Sequence, residues 1–166
     1  MSNHDATASG LPRHLAQLNI GRLRYEASDP RMADFIDNLA LVNGLAERSE
    51  GFVWRYQDDS GSAIDTRPFE GDPRMAINMS VWSDGDALAR FVWQTVHKRF
   101  YGQRHEWFEK LDGLYFVMWW VPAGHKPTVR EAIERLDHLK RHGPSDHAFG
   151  WENLPAAQLA KVARCA

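Results

Sequence analysis

Apolar and polar positions change period several times along the chain, and each change marks an element. From His14 to Arg24, Ala16, Leu18 and Ile20 alternate with Gln17, Asn19 and Gly21, the two-residue repeat of a strand with one face in a core. Asp29 and Pro30 then read as an N-cap and a first helical residue. Met32, Phe35, Ile36, Leu39, Val42 and Ala46 follow at helical spacing, up to a stop near Ser49-Glu50-Gly51. Phe52–Gln57 sets Phe52, Trp54 and Tyr56 against Val53, Arg55 and Gln57, and the polar run DDSGSAIDTRPFEGDP joins it to the next strand as an elaborated hairpin. In Ile77–Trp82 the faces are Ile77, Met79 and Val81 on one side, Asn78, Ser80 and Trp82 on the other.

A long helix comes next, with Ser83 as its N-cap, Asp86 three residues on, and Leu88, Phe91, Val92 and Val96 at helical spacing. Trp93, His97, Phe100 and Arg104 share one edge of it, which Gly102 bends or breaks. Tyr115–Val121 is apolar on both faces, so periodicity leaves the sides of Trp119 and Trp120 open. After the Pro122–Pro127 loop, Thr128 and Glu131 predict a capping box. Val129, Ala132, Ile133, Leu136 and Leu139 make a further amphipathic helix, closed by His142-Gly143-Pro144. The tail offers a short strand at Ala148–Trp151 and a weak helical stretch from Pro155.

The order β-α-β-β-α-β with an additional C-terminal helix is an α+β, ferredoxin-like protomer. We expect a disordered head over residues 1–12, one domain over 13–152 and a tail over 153–166. With helices on one sheet face only, Gln17, Asn19, Asn78, Ser80 and Trp82 fall on the other. Covering that face with a second copy, as a homodimeric α/β barrel, is the economical solution.

At 166 residues the chain is long enough for a core without staples, and its single cysteine, Cys165, forms no intrachain bridge. No segment approaches the roughly 20 apolar residues of a membrane span and the first dozen residues carry no signal-peptide pattern, so the expectation is a cytoplasmic protein away from membranes. Twenty basic against 22 acidic side chains give no field that favours nucleic acid. Seven tryptophans suit a core plus an aromatic pocket or interface.

Two blocks, SVWSDGDALARFVWQTVHKRFYGQRHEWFEKLDG and YFVMWWVPAGHKPTVREAIERLDHLKRHGP, resemble a domain-of-unknown-function family within the dimeric α/β-barrel superfamily, over roughly His14 to Trp151. The resemblance implies a protomer whose sheet closes with its mate into a barrel, and it implies no reaction. More distantly, the strand, VW turn, helix and His97 are similar to antibiotic-biosynthesis monooxygenases and haem-degrading monooxygenases. In the haem-degrading branch an Asn, a Trp and a His cooperate; Asn19 and His97 stand at comparable places, whereas neither Trp82 nor Trp93 has the separation of that pattern.

His97 is the candidate acid/base, since imidazole exchanges protons near neutral pH, with a buried, hydrogen-bonded histidine as the alternative. Oxygenation of an electron-rich aromatic without a cofactor would need that base, donors for the oxyanion such as Asn19 and Asn78, and a dry pocket. Arg55 or Arg104 would neutralise an anionic substrate, or else form structural ion pairs. Trp54, Trp82, Trp93, Trp107 and Trp120 would wall the pocket, or else pack the core; Gln17, Tyr101 and the loop residue His125 complete the expected substrate contacts. The expected function is a small-molecule tailoring enzyme acting on an aromatic or polycyclic substrate with no cofactor. The alternatives are haem binding through His97 as axial ligand and a noncatalytic small-ligand module. His138 and His142 have the i, i+4 spacing of a metal pair but no HExxH pattern, so no metal site is expected, and nucleotide-binding motifs are absent.

Overall fold

The computed structural model describes residues 10–100 and 102–154, and the backbone alone at His97. Four strands, β1 (Arg13–Arg22), β2 (Phe52–Arg55), β3 (Met75–Trp82) and β4 (Phe116–Pro122), form one antiparallel sheet in the order β2-β3-β1-β4. Helix α1 (Ala33–Glu47) joins the first two. From β3 to β4 the chain runs through α2 (Gly85–Phe91), a π turn (Val92–Val96), α3 (His97–Phe100) and α4 (Arg104–Trp107), and α5 (Val129–His142) follows. This is the ferredoxin-like α+β arrangement with one added helix.

Local chemistry accounts for the element ends. Asp29 accepts a hydrogen bond from Arg31 N–H and opens a 3-10 turn, Pro30–Met32, that leads into α1. The cap of α2 is Asp84 rather than Ser83: its carboxylate accepts from Ala87 N–H at 2.8 Å, while Ser83 N–H is spent on Gly51 C=O at 2.7 Å. Only half of the capping box at α5 forms. Thr128 Oγ1 accepts from Glu131 N–H, but the Glu131 carboxylate turns away to take Trp119 Nε1–H at 3.1 Å and to pair with His125 Nε2 at 2.8 Å. Gly143, at φ +74°, ends that helix in a conformation disfavoured for other residues. The expected strand at Ala148–Trp151 is a single bridge, Met118 to Phe149, and the stretch from Pro155 lies outside the described residues.

Pairing of Leu15, Gln17 and Asn19 with Trp82, Ser80 and Asn78 sets the faces of the sheet. Leu15 and Gln17 also sit beside Trp120 and Met118, so Trp120 joins the amide-bearing face; Trp119, opposite Ala16, joins the other. A bulge between Phe52 and Trp54 breaks the expected alternation of β2. Phe52 and Arg55 lie on the amide-bearing face and Trp54 on the opposite one.

Helices on one sheet face only is the expectation that fails. The amide-bearing face is the one beneath α1 and the α2 to α4 run, where Leu15, Trp82 and Met118 pack with Ala46, Ala87 and Leu88. On the other face, Ala132, Leu136 and Leu139 of α5, with Ala63 of the long β2–β3 connection, bury Ala16, Leu18, Met79, Val81, Val117 and Trp119, none more than 1% exposed. The connection lies there because Asp58 organises it, accepting hydrogen bonds from Ser60 and Asp65 N–H and from the Thr66 hydroxyl. Among the described residues, helices of one chain thus pack against both sheet faces.

Candidate functional site

Between the amide-bearing face and the helices lies a hollow in two overlapping parts, of about 280 and about 590 Å³. Asn19, Asn78 and Ser80 border both parts from the sheet, and Phe91, Val96 and Phe100 border both from the helical side. Its size is that of a site for a small organic molecule.

The floor is a hydrogen-bonded set built by strand register. Gln17, 4% exposed, donates through Nε2 to Asn78 Oδ1 and to Ser80 Oγ, both at 2.8 Å. Ser80 Oγ also accepts from Trp82 Nε1–H at 2.9 Å. With both of its lone pairs engaged, this hydroxyl has only its proton left to offer. Asn78, whose carbonyl is taken by Gln17, offers its NH₂, and the Asn19 amide has no partner among the described residues. Three donors therefore gather along one side of a largely apolar cavity.

The helical wall departs from plain α geometry. Across Val92–Val96 the π turn holds an extra residue per turn, and Gly102 lies in the break between α3 and α4, as a glycine there predicts. Trp93, Phe100 and Arg104 all border the hollow, the shared edge expected of them, although the edge is assembled from three segments. Arg104 lies near the face of Tyr115, 5.6 Å from the ring centroid, and has no carboxylate partner among the described residues. Arg55 also borders the hollow, but its Nε is held by Glu47 at 2.7 Å and its NH1 by Gly61 C=O at 2.9 Å.

Other expected contacts lie elsewhere. Trp54 packs on the opposite sheet face, held there by the bulge. Trp82 is wholly buried beneath the floor, stacked on Phe91 at 5.0 Å, and acts on the site only through Ser80. Trp107 plugs one end of the domain against Phe35 and Phe100. Trp120 packs on Phe149 beneath the Arg13 guanidinium, and His125 belongs to the cap of α5 through Glu131. Tyr101 and the side chain of His97 lie outside the described residues; the neighbours of His97, Val96 and Phe100, line the cavity. The expectation passed over Ser80 as a binding residue. Its place in the same alternation as Asn78 was the available signal.

A family model described as "Domain of unknown function (DUF3291)" matches residues 14–165. The chain belongs to the DUF3291 family. No curated protein matches this DUF3291 chain. Among solved structures, a conserved protein from Methanosarcina mazei Go1 is similar at 13% identity and a TM-score of 0.43, covering 65% of this chain and 92% of that one. A protein of unknown function from Nitrosomonas europaea is similar at 12% identity and a TM-score of 0.45, covering 72% and 97%. A protein from Pseudomonas aeruginosa is similar at 12% identity and a TM-score of 0.41, covering 68% and 94%. No helix among the described residues is long and apolar enough to cross a membrane.

Proposed function

We propose that the hollow binds a small aromatic or polycyclic molecule bearing a hydrogen-bond acceptor and an anionic group, and that the chain is a tailoring enzyme of the cofactor-independent monooxygenase kind. The observation that carries this reading is the donor set of Ser80, Asn78 and Asn19 facing aromatic and aliphatic side chains in one cavity. Such a set suits an oxygen atom that gains negative charge, because fixed donors stabilise it without reorganising. His97, between two lining residues, is the base in this scheme. It removes the proton of a phenol or enol, the donors hold the oxyanion, and Arg104 pairs with the ligand's anionic group. The electron-rich carbon then reduces dioxygen. A CH₂ between aromatic rings becomes C=O and the second oxygen atom leaves as water, so the substrate supplies every electron.

Haem suits the lining less well. Two propionates call for two available cations, whereas Arg104 is the one bordering arginine without a carboxylate partner among the described residues and Arg55 is committed to Glu47.

Dioxygen uptake with anthrone and dihydroxynaphthalene probes tests the proposal. Wild type consumes oxygen, and His97→Ala loses at least roughly 100-fold in rate while its far-UV dichroism and melting stay those of the parent. Probe binding without uptake would leave a noncatalytic binding module. A Soret band on haem titration, lost in His97→Ala, would replace the scheme with haem ligation.

A further inference from the structure

Away from the floor and walls of the hollow, α5 and the segment after it bring imidazoles together. Glu134, His138 and His142 stand at successive four-residue steps along α5, and Gly143 and Pro144 turn the chain so that His147 returns over the helix. The His138 ring lies 4.5 Å from that of His147 and 4.6 Å from that of His142, centroid to centroid. One ligand atom each from Glu134, His138 and His147 lie within 4.8 Å of one another. We propose that Glu134, His138 and His147 form a site for a divalent transition metal ion of the zinc type, with the remaining coordination position open to water.

Donor chemistry, spacing and anchoring support the assignment. Two imidazoles and a carboxylate are ligands that zinc, nickel and copper accept, and three protein ligands with an open fourth position are a usual zinc arrangement. Bond lengths of about 2.0–2.2 Å place tetrahedral ligand atoms roughly 3.4 Å apart. His147 Nε2 is already 3.0 Å from both Glu134 carboxylate oxygens, close to the separation two ligands of one ion would have. The return segment is also pre-set: Ser145 N–H bonds to Ala148 C=O, and Phe149 exchanges two backbone hydrogen bonds with Met118 of β4.

Arg135 sets the cost of binding. Its NH1 donates to His147 Nδ1 at 2.8 Å, which puts the ring proton on Nε2. Metal at Nε2 moves that proton to Nδ1 and releases NH1, which keeps the His147 carbonyl at 2.9 Å, while NH2 of the same guanidinium lies 3.9 Å from the Glu131 carboxylate.

The test uses the full chain without a histidine tag, stripped with EDTA, titrated calorimetrically with zinc chloride and spectroscopically with cobalt. We expect one ion per chain and the visible bands of tetrahedral cobalt. His138→Ala and His147→Ala should each weaken binding by at least roughly tenfold with unchanged dichroism, and His125→Ala should leave it intact. No binding by the wild type, or binding that survives both His138→Ala and His147→Ala, would overturn the site. If either variant fails to fold, the cobalt spectrum of Glu134→Gln decides: altered bands support the site and unchanged bands reject it.

Discussion

Ser80 holds two buried donors, Gln17 Nε2–H and Trp82 Nε1–H, at once. Replacing it with alanine strips both of a partner in a place water does not readily reach. Ser80→Ala should therefore lower stability by about 1–3 kcal/mol in urea unfolding, a loss too large for a surface serine. It should also weaken any ligand that accepts a hydrogen bond there. Arg104 gives the complementary case. Without a carboxylate to neutralise among the described residues, Arg104→Gln should leave the melting temperature unmoved and weaken an anionic ligand by roughly tenfold, against little change for its neutral analogue. Residues of the floor were legible in the chain because strand alternation puts Gln17 and Asn19, and Asn78 and Ser80, on common faces. Which tryptophans met them was not: the same large ring suits a cavity wall and a packed interior, and only contacts separate Trp93 from Trp82 and Trp107.

Among the elements, the π turn has the most direct bearing on the site. Deleting the exposed Gln94 would turn the π segment into plain α-helix and leave the residues after it in nearly their present orientation, because the wide turn already absorbs the extra residue; only the wall residues within Val92–Val96 are re-aimed. The expected outcome is retained helical dichroism with weakened ligand binding; unchanged binding would show that the extra residue is incidental to the site. The turn after α1 is equally exacting. A Cβ at Gly51, where φ is +84°, would meet Ala87 Cβ at 2.4 Å and Ser83 Oγ at 2.7 Å. Gly51→Ala should cost about 2 kcal/mol or more in thermal unfolding. At the other end of α1, hydrogen bonds from the Arg31 guanidinium, and then from Arg31 N–H, hold the Asp29 carboxyl down at about 2, from an ordinary 3.8. A folded value below the unfolded one means that the cap stabilises fully above the unfolded value. That contribution is lost as pH falls through the range between the two. Carboxyl resonances followed by NMR should show this midpoint, and Asp29→Asn should remove the dependence from that turn. Helix spans came easily from apolar spacing. The β2 bulge and the cap at Asp84 did not, because each depends on a partner strand or loop that local pattern does not describe.

For the whole molecule, amphipathicity announced that α5 buries one side but carried no information about which sheet face receives it. That gap produced the expectation of helices on one sheet face only. With Met79 only 1% exposed beneath α5 and the β2–β3 connection, Met79→Glu should unfold the chain, with a transition independent of protein concentration.

The margins of the sheet carry a further consequence. On one side β4 is stitched to Phe149 by paired backbone hydrogen bonds, and on the other β2 is four residues long and kinked by its bulge. Neither border offers a long flat row of unused amides, so the fold gives stray strands little to grow on. The native protein should stay resistant to fibril seeding even where its tryptophan-rich segments, once unfolded, would not.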